Sequence, residues 1–250
     1  MILQGKIAVI AGDSYGIGQA TAALFVEQGA RVVVVDDKAG FEAVRSMRVG
    51  AHNVAYFHVD VSDSHQVQAV VRACEQALDR VDILFNVAGR AIKQSFEETG
   101  EDTWSAMLGR NLSSCFLCAK YFLPLMKKAG AGSIINHASI DGFLGNPSIA
   151  AYSAAKGGVL PLTHVMAHDL AKYNIRVNSI STAGIRNASA AVSVSDQARV
   201  AVTPAGRMGT AQDVAPVALF LASDAAAYVN GANIVVDGGR SVITQGCYDD

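Results

Sequence analysis

The sequence predicts an α/β fold, a doubly wound, seven-stranded parallel sheet with helices on both faces. Three observations carry this. Short β-branched runs alternate with longer segments whose apolar residues recur every three to four positions. The β-branched runs are continuous rather than alternating, as strands buried on both faces should be. No proline-rich or charged linker and no repeat divides the 250 residues, so residues 1–250 are expected to form a single domain.

The elements follow in order. "KIAVIAG" (6–12) reads as the first strand, and "IGQATAALFVEQG" (17–29) as the helix behind it. "RVVVVDD" (31–37) and "NVAYFHVD" (53–60) are the next strands, followed by the amphipathic run "SHQVQAVVRACEQAL" (64–78). "VDILFNVAG" (81–89) is a fourth strand, and "NLSSCFLCAKYFLPLM" (111–126) is helix-like. "GSIINHAS" (132–139), "NIRVNSIS" (174–181) and "ANIVVDGG" (232–239) complete the seven, with helical "AQDVAPVALFLAS" (211–223) before the last.

Composition bounds the function. At 51% hydrophobic, 17% charged and 23 glycines, the chain suits a well-buried globular protein with tight turns. A formal charge of −2 offers no electrostatic footprint for nucleic acid or an acidic membrane. The start "MILQGKIAVIAG" lacks the charged and long apolar regions of a signal peptide, and no apolar run approaches the ~20 residues of a membrane span. Cys74, Cys115, Cys118 and Cys247 show no disulfide framework; the C-x-x-C at 115–118 is expected to be buried free thiols, and the setting a reducing cytoplasm. No metal site is expected.

"AGDSYGIG" follows the first strand and opens the first helix. Gly12, Gly16 and Gly18 sit where a chain turns sharply and approaches a pyrophosphate, with helix N-terminal amides facing its charge. A plain tight turn would show the same glycines. The second strand ends in Asp36, which could accept hydrogen bonds from an adenosine ribose and repel a 2′-phosphate, or be a solvated strand-end acid. Neither Tyr15 nor Asp37 offers a positive charge there, and Lys38 is the one basic neighbour in sequence. The preference expected is NAD. Asp60, ending the third strand, is placed to hydrogen-bond an adenine amino group.

"AAYSAAKGG" (150–158) sets Tyr152 and Lys156 four apart among small residues, hence on one helix face. A lysine ammonium beside a phenol favours phenolate and lowers a pKa that is otherwise near about 10. The glycine loop, Asp60–Val61, "NVAG" at 86–89, Asn111, Ser139, Tyr152 and Lys156 together resemble the short-chain dehydrogenase/reductase family over nearly the whole chain, as does the stretch from "GRMGTAQDV" to "VVDGG". The resemblance implies a Rossmann-type, NAD-dependent oxidoreductase interconverting a secondary alcohol and a ketone, with a homotetramer joined through residues 101–128, 150–173 and the C-terminal segment. It implies cofactor contacts from Gly12, Ser14, Tyr15, Gly16, Ile17, Gly18, Asp36, Asp37, Asp60, Val61, Asn86, Ala88, Gly89, Tyr152, Lys156, Ala183, Ile185 and Asn187. Tyr152 would be the general acid–base, Ser139 a hydrogen-bond partner of the substrate oxygen, Lys156 a ribose ligand, and Asn111 a water relay to Lys156.

The sequence departs from the family pattern at Ala11 (commonly threonine) and at Val87 (commonly a second asparagine). Thr182–Ala183 stand for proline–glycine, and Asn187 stands for threonine. The substrate side is expected from Arg90, Asp141 and Asn146 with a lid near 187–206. Arg90 would clamp an anion or face solvent, and Asp141 would meet a polar substrate or cap a turn. His137 is expected as a hydrogen-bonded core histidine. Two other functions fit the same motifs, an NADP-dependent carbonyl reductase and a non-catalytic NAD sensor.

Overall fold

The computed structural model describes residues 1–13, 15–37, 54–186 and 194–243. Ser14 and Asn187, both expected to touch a cofactor, lie outside the described residues, as do Lys38, Cys247 and residues 187–193 of the expected lid.

The strands are β1 (Ile7–Ala11), β2 (Arg31–Asp36), β3 (Val54–His58), β4 (Ile83–Asn86), β5 (Gly132–Ser139), β6 (Ile175–Thr182), β7 (Ile185–Arg186), β8 (Gly209–Thr210) and β9 (Asn233–Val236). The helices are α1 (Ile17–Glu27), α2 (Ser64–Ala77), α3 (Glu101–Leu108), α4 (Ser114–Lys128), α5 (Ala150–Leu170), α6 (Val194–Ala201) and α7 (Ala211–Ala222). Seven strands form one parallel sheet in the order β3-β2-β1-β4-β5-β6-β9. All seven expected strands are present.

Alternation along β1 shows why both faces need cover. Ile7, Val9 and Ala11 join the core formed with α2, α4 and α5, including Val67, Phe122 and Ala167. Ala8 and Ile10 join the opposite core with Phe25 of α1 and Leu221 of α7. Fully buried Phe25, Phe85 and Phe122 anchor these layers, and truncating any one to alanine should cost about 3–5 kcal/mol.

The chain winds outward from β1 through β2 to β3, then returns to β4 on the other side of β1. The crossovers therefore diverge beyond the carboxyl ends of β1 and β4, leaving a crevice. Two features go beyond the expected elements. β7 and β8 pair as a separate two-stranded ribbon. Residues 101–128 are helical throughout but not uniformly α, because a π turn at Gly109–Ser113 separates α3 from α4. Among the described residues, no helix is long and apolar enough to cross a membrane.

Candidate active site

A cleft of about 1270 Å³ opens at the carboxyl ends of the sheet, lined by the glycine loop, Ser139, Tyr152 and Thr182–Arg186. Its glycines are there for close approach. A Cβ on Gly12 (φ +102) would stand 2.3 Å from the Ala88 Cα, so the loops after β1 and β4 touch through backbone. A Cβ on Gly18 would stand 2.4 Å from the Gly12 carbonyl oxygen. These contacts hold the α1 N-terminus against the turn. Asp13 (φ 53) fills part of that space: its carboxylate accepts hydrogen bonds from the amides of Ile17 (2.6 Å) and Gly18 (3.4 Å). Asp13 stands three residues ahead of the N-cap, Gly16, so it carries no N-cap signature in the sequence.

The acids at the end of β2 and beyond β3 are not among the residues lining this cleft; each is held by its own hydrogen bonds. Asp36 is 1% exposed and accepts the Asp37 amide at 2.9 Å, while its carbonyl accepts the Tyr56 hydroxyl at 3.0 Å. Asp37 forms a bidentate pair with Arg110, at 2.5 and 2.7 Å. A basic group thus does reach this end, from the π turn rather than from the Lys38 segment. Asp60 accepts both the amide (2.9 Å) and the hydroxyl (2.7 Å) of Ser62 through one oxygen. For two residues expected to contact a cofactor, the side chains are turned away from the cleft. The Val61 side chain packs into the apolar core, and the Asn86 amide is buried and donates to Asn136 at 2.9 Å. Neither side chain lines the cleft: Asn86 ends β4, and Val61 lies three residues beyond β3.

Ser139, Tyr152, Lys156 and Asn111 converge from β5, α5 and the π turn. Ser139 ends β5, and its hydroxyl accepts the Asp141 amide at 3.2 Å. Lys156 is fully buried, and its ammonium donates to the His137 carbonyl at 2.6 Å. Burial lowers the lysine's pKa to about 8, with partial relief from Cys115 and Asp13. Burial pushes the Tyr152 phenol up to about 12, opposed by a hydrogen bond with Ser139 and reinforced by the Asp141 charge. Burial thus outweighs the depression expected from Lys156, whose ammonium is turned to the β5 backbone. Asn111 is committed to backbone as well: its amide donates to the Met107 (3.0 Å) and Arg90 (3.1 Å) carbonyls and accepts the Arg90 N–H at 3.0 Å. A Cβ on Gly89 would stand 2.9 Å from Asn111 Oδ1 and 3.0 Å from Lys156 Nζ, so glycine there lets all three meet.

The small residues around Tyr152 have the same cause. A Cβ on Gly142, in the turn after β5, would stand 2.8 Å from the Gly157 nitrogen, so α5 rests directly on that turn.

A family model described as enoyl-(acyl carrier protein) reductase matches residues 11–241. The chain belongs to the short-chain dehydrogenase/reductase family. It is 40% identical to YxbG, an uncharacterized oxidoreductase of Bacillus subtilis, over 97% of this chain and 93% of that one. It is 35% identical to an NAD-dependent glycerol dehydrogenase of Listeria innocua, over 95% and 94% of the two chains. Among solved structures, a gluconate 5-dehydrogenase of Burkholderia cenocepacia in complex with NADP and tartrate superposes with a TM-score of 0.89, 32% identity and 97% coverage of each chain. The relatives thus include users of either nicotinamide dinucleotide.

The cleft of this short-chain dehydrogenase/reductase fits such a cofactor by its own geometry: a glycine cradle at a helix N-terminus and a volume above that of ordinary single-ligand pockets. Asp13 is the one discordant group, a negative charge on the amides a pyrophosphate would use. Tyr15, Gly16, Ile17, Ala183 and Ile185, all expected to contact a cofactor, line the cleft.

On the substrate side, Asp141 and Asn146 both line the cleft and are hydrogen-bonded to each other. Arg90 is exposed and not part of the lining; Lys93, Arg186, Arg199 and Arg240 are the basic residues that line it. His137 also lines the cleft instead of lying in the core. Its Nε2 pairs with the Thr182 hydroxyl at 2.9 Å, its Nδ1 is buried without a partner, and burial, with the nearby Lys156 charge, lowers its pKa well below the usual imidazole range. Cys74, Cys115 and Cys118 are buried free thiols.

Proposed function

We propose that this oxidoreductase interconverts a secondary alcohol and its ketone with NAD(H), Tyr152 serving as the general acid–base. The observation that carries the reading is that Ser139 and Tyr152 line the same cleft, with Lys156 fully buried one helical turn behind the tyrosine. When bound, the nicotinamide ring supplies the hydride chemistry.

The chain's own groups supply the rest. The Tyr152 phenol donates its proton to a ketone oxygen, or as phenolate takes the proton of an alcohol. The Ser139 hydroxyl donates to the same oxygen and stabilises its developing negative charge. The Lys156 ammonium provides positive charge that favours phenolate, and a ribose hydroxyl is the natural acceptor for its remaining donors. Asn111 acts as a positioning residue: by clamping Arg90 it fixes Gly89, and with it the floor beneath Lys156. Asp36 accepts from the adenosine ribose and excludes a 2′-phosphate, which supports NAD over NADP.

A homotetramer is the assembly proposed. Exposed Trp104 (α3), Phe116 (α4) and Val165 (α5) support it, because apolar side chains on those helices otherwise face water. Buried free thiols support a reducing, cytoplasmic setting.

The test is a panel of secondary alcohols, sugars and hydroxy acids offered with NAD⁺ or NADP⁺, followed by reduced-nicotinamide absorbance. Turnover with NAD⁺ on at least one alcohol is expected. Turnover with NADP⁺ alone would overturn the cofactor reading, and none on any panel member would favour the sensor.

A further inference from the structure

The pair joining Asp37 to Arg110 links residues 73 apart in sequence, and its side chains are only 31% and 21% exposed. Asp37 is the first residue beyond β2, and its amide donates to the Asp36 carboxylate. Arg110 lies in the π turn, immediately before Asn111, with its carbonyl accepting the Ser114 hydroxyl at 2.7 Å. Both terminal nitrogens of the guanidinium are directed at Asp37, while its Nε is buried without a hydrogen-bond partner. Asp36 and Asp60 also act on the arginine's charge, so it sits among three carboxylates.

An arginine at the end of β2 is the residue type that takes a 2′-phosphate, through a planar fork matched to two oxygens. Here that fork is already filled. We propose that Asp37 is a specificity lock on Arg110: by holding the guanidinium in a bidentate pair it keeps it from a 2′-phosphate and leaves the adenosine end acidic. Discrimination then comes from a repulsive element as well as an attractive one, and Asp37 contributes separately from Asp36. The inference deepens the NAD reading and rests on Asp36 marking the ribose position.

A merely structural pair, tying the π turn to β2, would make loss of Asp37 weaken both dinucleotides alike. The lock makes the two part company. Dissociation constants of NADH and NADPH, measured by nicotinamide fluorescence without turnover, are compared in wild type, Asp37→Asn and Asp37→Asn/Arg110→Gln. Asp37→Asn should tighten NADPH about tenfold relative to NADH, equal to about 1.4 kcal/mol. The double variant should lose that gain. An unchanged ratio in Asp37→Asn, or a gain that survives removal of Arg110, overturns the lock. Should Asp37→Asn fail to fold, Asp37→Ser carries the same two expectations. The wild-type ratio tests the NAD reading by itself, because a wild-type preference for NADPH refutes that reading whatever the variants do.

Discussion

Lys156 donates its ammonium to the carbonyl oxygen of His137 at 2.6 Å, so the lysine one helical turn from Tyr152 is anchored to β5. That anchor holds a fully buried cation behind the phenol without neutralising it. It also places the carbonyl of a cleft-lining residue, His137, in direct contact with a proposed catalytic group.

The buried cation should be visible in stability. An unfolded lysine keeps its proton to near pH 10.5, whereas Lys156 releases it near 8. Between those values the unfolded state binds more protons, so stability rises with pH. Wild type should gain stability from pH 8 to 10 relative to Lys156→Met, by up to about 3 kcal/mol, read from urea midpoints. Tyr152 acts oppositely but later: its raised pKa contributes stability that is complete below pH 10 and lost towards 12. Parallel curves for the two proteins would refute the buried charge.

Asp13 occupies amides that a pyrophosphate would use. Asp13→Asn keeps a side-chain oxygen for the Ile17 and Gly18 amides at a positive φ and removes the charge. NADH should bind roughly 3- to 10-fold more tightly, with a smaller gain in high salt. Unchanged or weaker binding in a fluorescence titration would show that the carboxylate does not compete.

Asp36→Ala should shift the ratio of NADPH to NADH affinity by about tenfold or more towards NADPH, because the ribose acceptor and its repulsion vanish together. Equilibrium titration with both dinucleotides checks this. An unaltered ratio removes Asp36 from the ribose contact.

Sedimentation should give a tetramer for wild type and smaller species for Phe116→Glu or Val165→Lys, whose side chains are 47% and 58% exposed in the isolated chain. A wild-type monomer would contradict the proposed assembly.

Much of this was legible in the sequence, for particular physical reasons. "RVVVVDD" could only be a strand buried on both faces, and Gly12, Gly16 and Gly18 mark contacts a Cβ would prevent. The π turn and the β7–β8 ribbon were not legible: two-residue pairings such as Ile185 with Gly209 rest on single backbone contacts and leave no periodicity. Arg110 could not be matched to Asp37, since an ion pair across 73 residues has no local signature. The side-chain directions of His137 within β5, Asn86 at the end of β4 and Val61 beyond β3 were not legible, because one position along a strand decides between cleft and core. The orientation of the Lys156 ammonium depends on which backbone carbonyl lies nearest, and only the folded chain supplies that.

The central claim is that Tyr152 moves the proton. The most direct test is turnover of Tyr152→Phe, on any alcohol the wild type oxidises, alongside its NADH dissociation constant. The account predicts that turnover falls by about 10²–10⁴-fold while NADH binding stays within about threefold. Turnover within about threefold of wild type, with binding intact, would contradict it.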